Sequence, residues 1–388
     1  MTDVRLDTFA GLQTVVSHRT RRTPPCGEAY GFSGHQTDLA ACAAAIRKGS
    51  KSFHLAAMIL PRETRQAAQA LYAFCRHADD LIDDARANQK ALDQLHDRLD
   101  QIYLGRPAAY PCDRAFARTV KTYAIPKAVP LALLEGFAMD ISNRCYRTIA
   151  EVKGYATCVA STVGLMMSLA MRTGDPNALA RAADLGIAMQ LTNIARDVGE
   201  DARNGRLYLP MDWLEDAGVD PENFLKSPRF SPALGTVVRR LLAEASRHYR
   251  LGHVGIEVLP PDCQPAIRTA ALVYEEIGVA VAENGYDSVS HRARTGLTKK
   301  LSLMLRARRV TLGGPTCNTG LLDEAPDPAT ASLVSMAARS FAEAPRAAGV
   351  GRADPDRFLS IMMRLQSDAR DDRRFRRLTA REKAASLV

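Results

Sequence analysis

Four polar residues, Gln190, Asn193, Asp197 and Asp201, follow one another at intervals of three, four and four. On an α-helix those intervals return to one face, so two amides and two carboxylates form a stripe, while Leu191, Ile194, Ala195 and Val198 point elsewhere. Upstream, Tyr72, Arg76, Asp79 and Asp83 repeat the pattern at four, three and four, beside an apolar stripe of Leu71, Phe74, Ala78, Leu81 and Ile82. Carboxylates one turn apart lie roughly 6 Å from each other and repel unless a cation sits between them. By itself DDLIDD reads as a solvated acidic surface that Asp80 and Asp84 extend. The second stripe does not, because Arg196 interrupts the acid and the helix stops at an Asn204–Gly205 turn ahead of Arg206 and Tyr208. Two such stripes facing each other across a cavity would make a cation site.

Asp and Asn oxygens without convergent His or Cys suit Mg²⁺, Mn²⁺ or Ca²⁺ rather than zinc. Mg²⁺ is commonly held by one or two carboxylates together with substrate phosphates, so a half-built carboxylate site predicts a phosphorylated ligand. Carboxylate and phosphate charges about 4 Å apart repel by about 4 kcal/mol per unit pair at an effective dielectric near 20, and bridging cations remove that barrier.

The elements that must carry these stripes read as helices. Helical periodicity predicts segments 37–48, 61–86, 89–104, 130–145, 151–172, 177–203, 232–250 and 262–284, and no alternating strand run stands out. The expectation is a single all-α bundle with its polar stripes turned toward a central cavity.

Longer stretches then resemble a known family. LGIAMQLTNIARDVGEDARNGRLYLP is similar to the second aspartate-rich signature of the squalene and phytoene synthases, and CRHADDLIDD to the first. The match runs through Gln190, Asn193, Arg196, Asp197, Asp201, Arg206, Tyr208 and Pro210. KGSKSF at 48–53 resembles the family's N-terminal serine segment, and YATCVASTVGLMM at 155–167 its central small-residue helix. The resemblance covers roughly residues 38–310. Thr157 stands where the family often has an aromatic and Ser161 where it often has glycine, departures that bear on the shape of the hydrocarbon pocket and on the product.

The resemblance implies an isoprenoid-synthase-type helical bundle and head-to-head coupling of two allylic diphosphates through a cyclopropyl intermediate. It implies that Asp79, Asp83, Asn193, Asp197 and Asp201 hold Mg²⁺, with Mn²⁺ as the alternative. Ser50, Ser52, Arg76, Arg196 and Arg206 would donate to phosphate oxygens, and Gln190 and Phe53 would belong to the substrate site. Tyr72, Tyr208 and Tyr274 would bond the diphosphate or face the cation. Read from the residues alone, Ser50 and Ser52 could equally cap a helix, Tyr274 could be a core aromatic, and Arg76 could pair with Asp79 or Asp80. Val159, Thr162 and Leu165 are the expected pocket lining.

The wording of LYAFCRHADDLIDD and MQLTNIARDVGEDARNGRLYLP most resembles the bacterial phytoene synthases. That implies geranylgeranyl diphosphate as substrate, phytoene as product, carotenoid synthesis as the setting, and downstream carotenoid enzymes as partners. Phytoene forms by proton loss, so no NADPH is expected. The alternatives within the family are squalene, dehydrosqualene or hydroxysqualene synthesis from farnesyl diphosphate. Outside catalysis stands a squalene-synthase-like assembly factor, a reading that the complete acidic motifs disfavour.

At 388 residues and 46% hydrophobic the chain can bury a large core. The eight cysteines are scattered without a CxxC, which argues against a zinc ribbon or disulfide framework and for a reducing cytoplasm. The N-terminus, with Asp3, Arg5 and Asp7, lacks the apolar core of a signal peptide. ATCVASTVGLMMSLAM at 156–171 is uncharged but falls short of the about 20 apolar residues a span needs, so it reads as a buried helix. The net charge of +9 has no accompanying nucleic-acid motif. HRARTGLTKKLSLMLRARR at 291–309 instead mixes base with Leu and Met, as a peripheral membrane contact or an anion-facing element does. The basic stretch at 370–383 is interspersed with acid and reads as a solvated helix. Residues 1–36 and 311–388 read as extensions flanking a core at 37–310, partly mobile.

Overall fold

The structure, a computed structural model, describes residues 32–82, 89–312 and 319–344. Every regular element among its described residues is a helix, with no strand among them. Asp83, the fourth member of the first polar stripe, lies outside the described residues.

The longest helix, α9 (Pro176–Arg203), starts where sequence dictates. The Asp175 side chain accepts from Ala178 N at 3.0 Å, and Pro176 fills a first-turn position that needs no amide. It ends at Asn204, followed by Gly205 in the left-handed region at φ +74°. Leu179, Ala180 and Ala183 near its start belong to one apolar cluster with Leu71, Phe74, Phe116, Leu133 and Phe137. Leu191, Ile194 and Val198 further along join a second cluster with Trp213, Val238, Leu241 and Tyr249. Each fully buried Leu or Phe contributes about 1.5–3 kcal/mol, so this two-sided packing fixes α9 firmly. The site lies between the two clusters.

Around α9 stand α1 (Phe32–Gly49), α2 (Lys51–Ile59), α3 (Arg62–Ile82), α4 (Gln89–Tyr103), α5 (Pro111–Thr122) and α6 (Ala128–Ile141). The chain continues through α7 (Ile149–Ala156), α8 (Thr162–Ala170), the short α10 (Met211–Asp216) and α11 (Pro221–Lys226), α12 (Pro232–Glu257), α13 (Gln264–Glu283) and α14 (Leu297–Leu312). Last come α15 (Thr319–Leu322) and α16 (Ala331–Glu343). Periodicity missed α2, α5, α10, α11, α14, α15 and α16, of which α2, α10, α11 and α15 have nine residues or fewer and α5 begins at a proline, and it ran α6 four residues too far. That helix stops at Ile141, and Asn143 takes φ +47°.

The segment read as one helix over 151–172 is divided. Residues Thr157–Ser161 form a π turn between α7 and α8. Close helix approach accompanies it: a Cβ added to Gly186 of α9 would lie 2.5 Å from Ser161 Cα. The Ser161 hydroxyl donates to Ala183 O at 2.7 Å. Thr157 and Ser161, the two departures from the family pattern, therefore shape the wall's backbone from behind.

Residues 319–344, part of the segment read as a C-terminal extension, pack onto the bundle. Leu333, Val334 and Ala337 are buried in the first cluster. Fully buried Arg181 donates to the carbonyls of Leu321 at 2.6 Å and Glu324 at 2.9 Å while pairing with Asp184 at 2.9 Å. The six described cysteines are free. No helix among the described residues is long and apolar enough to cross a membrane.

Candidate active site

A cavity of about 650 Å³ runs from a polar end into an apolar interior. Nine residues singled out in the sequence line it: Ser50, Phe53, Tyr72, Arg76, Asp79, Gln190, Asn193, Arg196 and Tyr274. Tyr72, Arg76 and Asp79 of the first stripe and Gln190 and Asn193 of the second thus face one space, whereas Asp197 and Asp201, the carboxylates of the second stripe, are not among its lining residues.

On the α2 side, Ser50 is the helix N-cap, accepting from Phe53 N at 3.2 Å, and it lines the cavity as well. Ser52 is not among the lining residues; its hydroxyl accepts from Lys300 Nζ at 2.9 Å. Phe53 stacks on Tyr274 with centroids 5.3 Å apart and meets Tyr72 edge-on at 6.3 Å. Gly49 leaves room for the Tyr72 hydroxyl, which any Cβ there would overlap.

On α3, Arg76 bonds Asp79 Oδ2 at 3.1 Å and also pairs with Asp80. All three are at least two-fifths exposed, so these pairs contribute little stability and can exchange for a ligand.

On α9, Asn193 Nδ2 donates to Gln190 Oε1 at 3.3 Å, leaving Asn193 Oδ1 buried without a hydrogen-bond partner. Asp197 and Asp201 are half-buried beside the cavity. Burial would raise the Asp197 carboxyl, but the guanidinium groups of Arg196 and Arg292 outweigh it and hold it below the ordinary value. Asp201 goes the other way: burial first, then the charges of Asp197 and Glu200, push it up to about 7. Tyr208 donates to Asp140 Oδ1 at 2.7 Å and stacks on Tyr155 at 5.0 Å.

Sequence reading missed three residues that this geometry brings forward. Arg292, a cavity-lining residue, lay inside the 291–309 stretch read as a membrane contact or an anion-facing element, but was not singled out. Lys300 reaches Ser52 from α14. Asp140, one of two acids on the apolar α6, carried no motif signal. Thr162 and Leu165, expected to line the pocket, are buried elsewhere: the Thr162 hydroxyl donates to Cys158 O at 2.7 Å and Leu165 sits in the core. Val159, the third residue expected there, does line the cavity, in a row with Val163, Met167 and Met171 at steps of four.

Among the described residues no three His, Cys, Asp or Glu side chains converge closely enough to enclose an ion. The oxygens present nonetheless fit a hard cation. An orphaned amide oxygen at Asn193 and a repelled, protonation-prone Asp201 both gain from positive charge, and no histidine or thiolate competes.

The squalene/phytoene synthase family model matches residues 46–300. The chain belongs to the squalene/phytoene synthase family. That family is metal-dependent and works on prenyl diphosphates. A phytoene synthase of Cereibacter sphaeroides is 48% identical over 316 residues, spanning 78% of this chain and 88% of its relative. A phytoene synthase of Rhodobacter capsulatus is 45% identical over 307 residues, covering 78% and 91%. Among solved structures, a dehydrosqualene synthase in complex with a ligand superposes with a TM-score of 0.67 at 32% identity, over 73% of this chain and 99% of that one.

Proposed function

We propose that the chain is a phytoene synthase, condensing two geranylgeranyl diphosphates head to head through prephytoene diphosphate to phytoene, with release of diphosphate. The observation that carries this reading is the cavity's division. Charged and amide groups crowd one end, and a wall of Leu, Val, Met, Ala and Gly side chains forms the rest. That division suits a diphosphate head on an isoprenoid tail.

Asp79, Asp83, Asn193, Asp197 and Asp201 would hold Mg²⁺ or Mn²⁺, and the bound ion would neutralise the diphosphate so that it can leave. Arg76, Arg196, Arg206 and Arg292 supply donors to phosphate oxygens, with Ser50 and Ser52 beside them. The rings of Phe53, Tyr72 and Tyr274 meet where head and tail join, and their faces stabilise an allylic cation. The apolar wall excludes water that would capture that cation. The last step is proton loss, so the reaction needs no reduced nicotinamide.

The substrate dissolves in lipid, and α14 supplies a surface for collecting it. This helix has no acidic residue, and its exposed face carries Lys299, Leu305, Arg306, Arg309 and Val310. Such a face suits peripheral contact with an anionic membrane.

The chemistry is tested by alanine at Asp79 or Asp197. Turnover should vanish with the helical circular dichroism unchanged; near-normal activity would refute the metal assignment.

A further inference from the structure

The helices α8 and α9 each show one face to the cavity and bury the other. Val163, Met167 and Met171 line the cavity from α8 and the turn after it, and Ala178 and Ala182 line it from the start of α9. Ala178 stands about 22 Å along the helix axis from Asn193, so this wall belongs to the end remote from the charged groups. Behind it, Leu165, Leu169, Leu179 and Ala183 share a cluster with Leu333, Val334 and Ala337 of α16. The helix α16 packs on α6, α8 and α9 together.

Polar ties fix the segment at both ends. Arg181, fully buried on α9, donates to the carbonyls of Leu321, Leu322 and Glu324 at 2.6, 3.2 and 2.9 Å. Asn177 donates to Asp323 and Lys153 to Asp327, both at 2.8 Å. A buried guanidinium carries a desolvation cost that Asp184 alone would not offset, so those carbonyls are built into the bundle. At the other end, the Phe341 ring lies against the backbone of Gly174 in the α8–α9 turn, where any Cβ would overlap it. The Ser340 hydroxyl donates to Ala124 O in the α5–α6 turn at 2.7 Å. All of this lies beyond residue 300, where the family match ends.

We propose that residues 319–344 are a brace that fixes the hydrocarbon end of the cavity, with Val334 and Phe341 as positioning residues for the substrate tail. This rests on the phytoene synthase reading, which makes the occupant a C20 isoprenoid diphosphate. A wall one helix thick takes its stiffness from what is packed behind it, because close-packed interiors transmit strain. With α16 seated, the wall keeps one shape and the tail meets a preorganised surface. With α16 loosened, binding the tail must also order the wall, and affinity falls. The diphosphate end does not sense that change, so the loss depends on the tail.

The test is steady-state kinetics on full-length Phe341→Ala with Mg²⁺ and geranylgeranyl diphosphate, using inorganic diphosphate as a competing head without a tail. The KM for geranylgeranyl diphosphate should rise about tenfold, the lower range for a change in a hydrophobic pocket. The kcat should stay within about threefold of wild type, the pattern of binding lost equally from ground and transition states, and the inhibition constant of diphosphate should not move. Destabilisation alone would lower kcat through the folded fraction and leave KM in place. An unchanged KM, or an inhibition constant that rises with it, would overturn the proposal. If Phe341→Ala lacks the wild-type circular dichroism, Val334→Ala, which removes only the two methyl groups from the same packing, carries the same comparison. Wild type that converts no geranylgeranyl diphosphate would defeat the functional reading itself; wild type that does leaves the brace to be judged by its variants.

Discussion

Arg292 follows Asp197 by 95 residues, yet its guanidinium meets both carboxylate oxygens, Nε to Oδ1 at 2.8 Å and Nη2 to Oδ2 at 3.2 Å. Arg196 grips the same carboxylate from its own helix, Nε to Oδ1 at 2.8 Å. Two guanidinium groups thus occupy the acid assigned to the metal. A diphosphate offers both arginines a bidentate partner, and their transfer to it would release Asp197 to a cation. Charge-assisted hydrogen bonds contribute about 1.5–3 kcal/mol, so Arg292→Ala should lower kcat/KM about 10- to 100-fold, mostly through KM, with circular dichroism unchanged. Steady-state kinetics on wild type and variant decide this; an unchanged KM would remove Arg292 from the substrate site.

Asp201 gives the metal-free protein a pH dependence with a definite sign. Its carboxyl ionises near 3.8 in the unfolded chain and near 7 in the folded one, because burial and its acidic neighbours disfavour the charge. Folding therefore favours the protonated form. Stability from this group is fully present below about pH 4 and is lost as pH rises to about 7. The wild-type melting temperature should fall relative to that of Asp201→Asn across that window. Conversely, stabilisation by added Mg²⁺ should grow as pH rises through about 7, since the ion takes the carboxylate. Parallel thermal melts of the two chains test both statements, and a constant difference across pH would contradict them.

The contact between Gly186 and the π turn admits no side chain. A methyl group there would overlap Ser161 backbone atoms, which cannot swing aside as a flexible side chain can. Gly186→Ala should destabilise by roughly 1–3 kcal/mol and, because Gly186 lines the cavity, should reduce activity in the same variant. Chemical denaturation with an activity assay checks the pair of effects; a variant as stable and active as wild type would show that the two helices separate easily.

Charge reversal at Arg306 and Arg309 tests the α14 surface. Neither residue lines the cavity, so activity on detergent-dispersed substrate should persist while cosedimentation with anionic vesicles is lost. Wild-type protein that fails to sediment with such vesicles would dispose of the membrane contact.

The stripes were legible because helical spacing is strict. Gln190 and Asn193 reach the cavity because apolar Leu191, Ile194 and Val198 turn their face inward, while Asp197 and Asp201 of the same stripe stop short of its lining. The limits were equally physical. Asp140 and Arg292 reach the cavity through tertiary packing, so Asp140 carried no local signal and the basic 291–309 stretch did not single out Arg292. Thr162 and Leu165 were misplaced because residues 151–172 were read as one regular helix, whereas the chain inserts a π turn and the cavity face follows Val159, Val163 and Met167. Residues 319–344 looked peripheral because their anchor is Arg181, far away in sequence, whose guanidinium is satisfied by their carbonyls. Ser50 fits two sequence readings at once, helix cap and cavity lining.

Product analysis tests the central claim most directly. Purified full-length protein is incubated with Mg²⁺ and either geranylgeranyl or farnesyl diphosphate, with and without NADPH, and the extracted hydrocarbons are identified. Phytoene from the C20 substrate without NADPH is the predicted result. A C30 hydrocarbon from farnesyl diphosphate with no phytoene, or no hydrocarbon from either substrate, would contradict it.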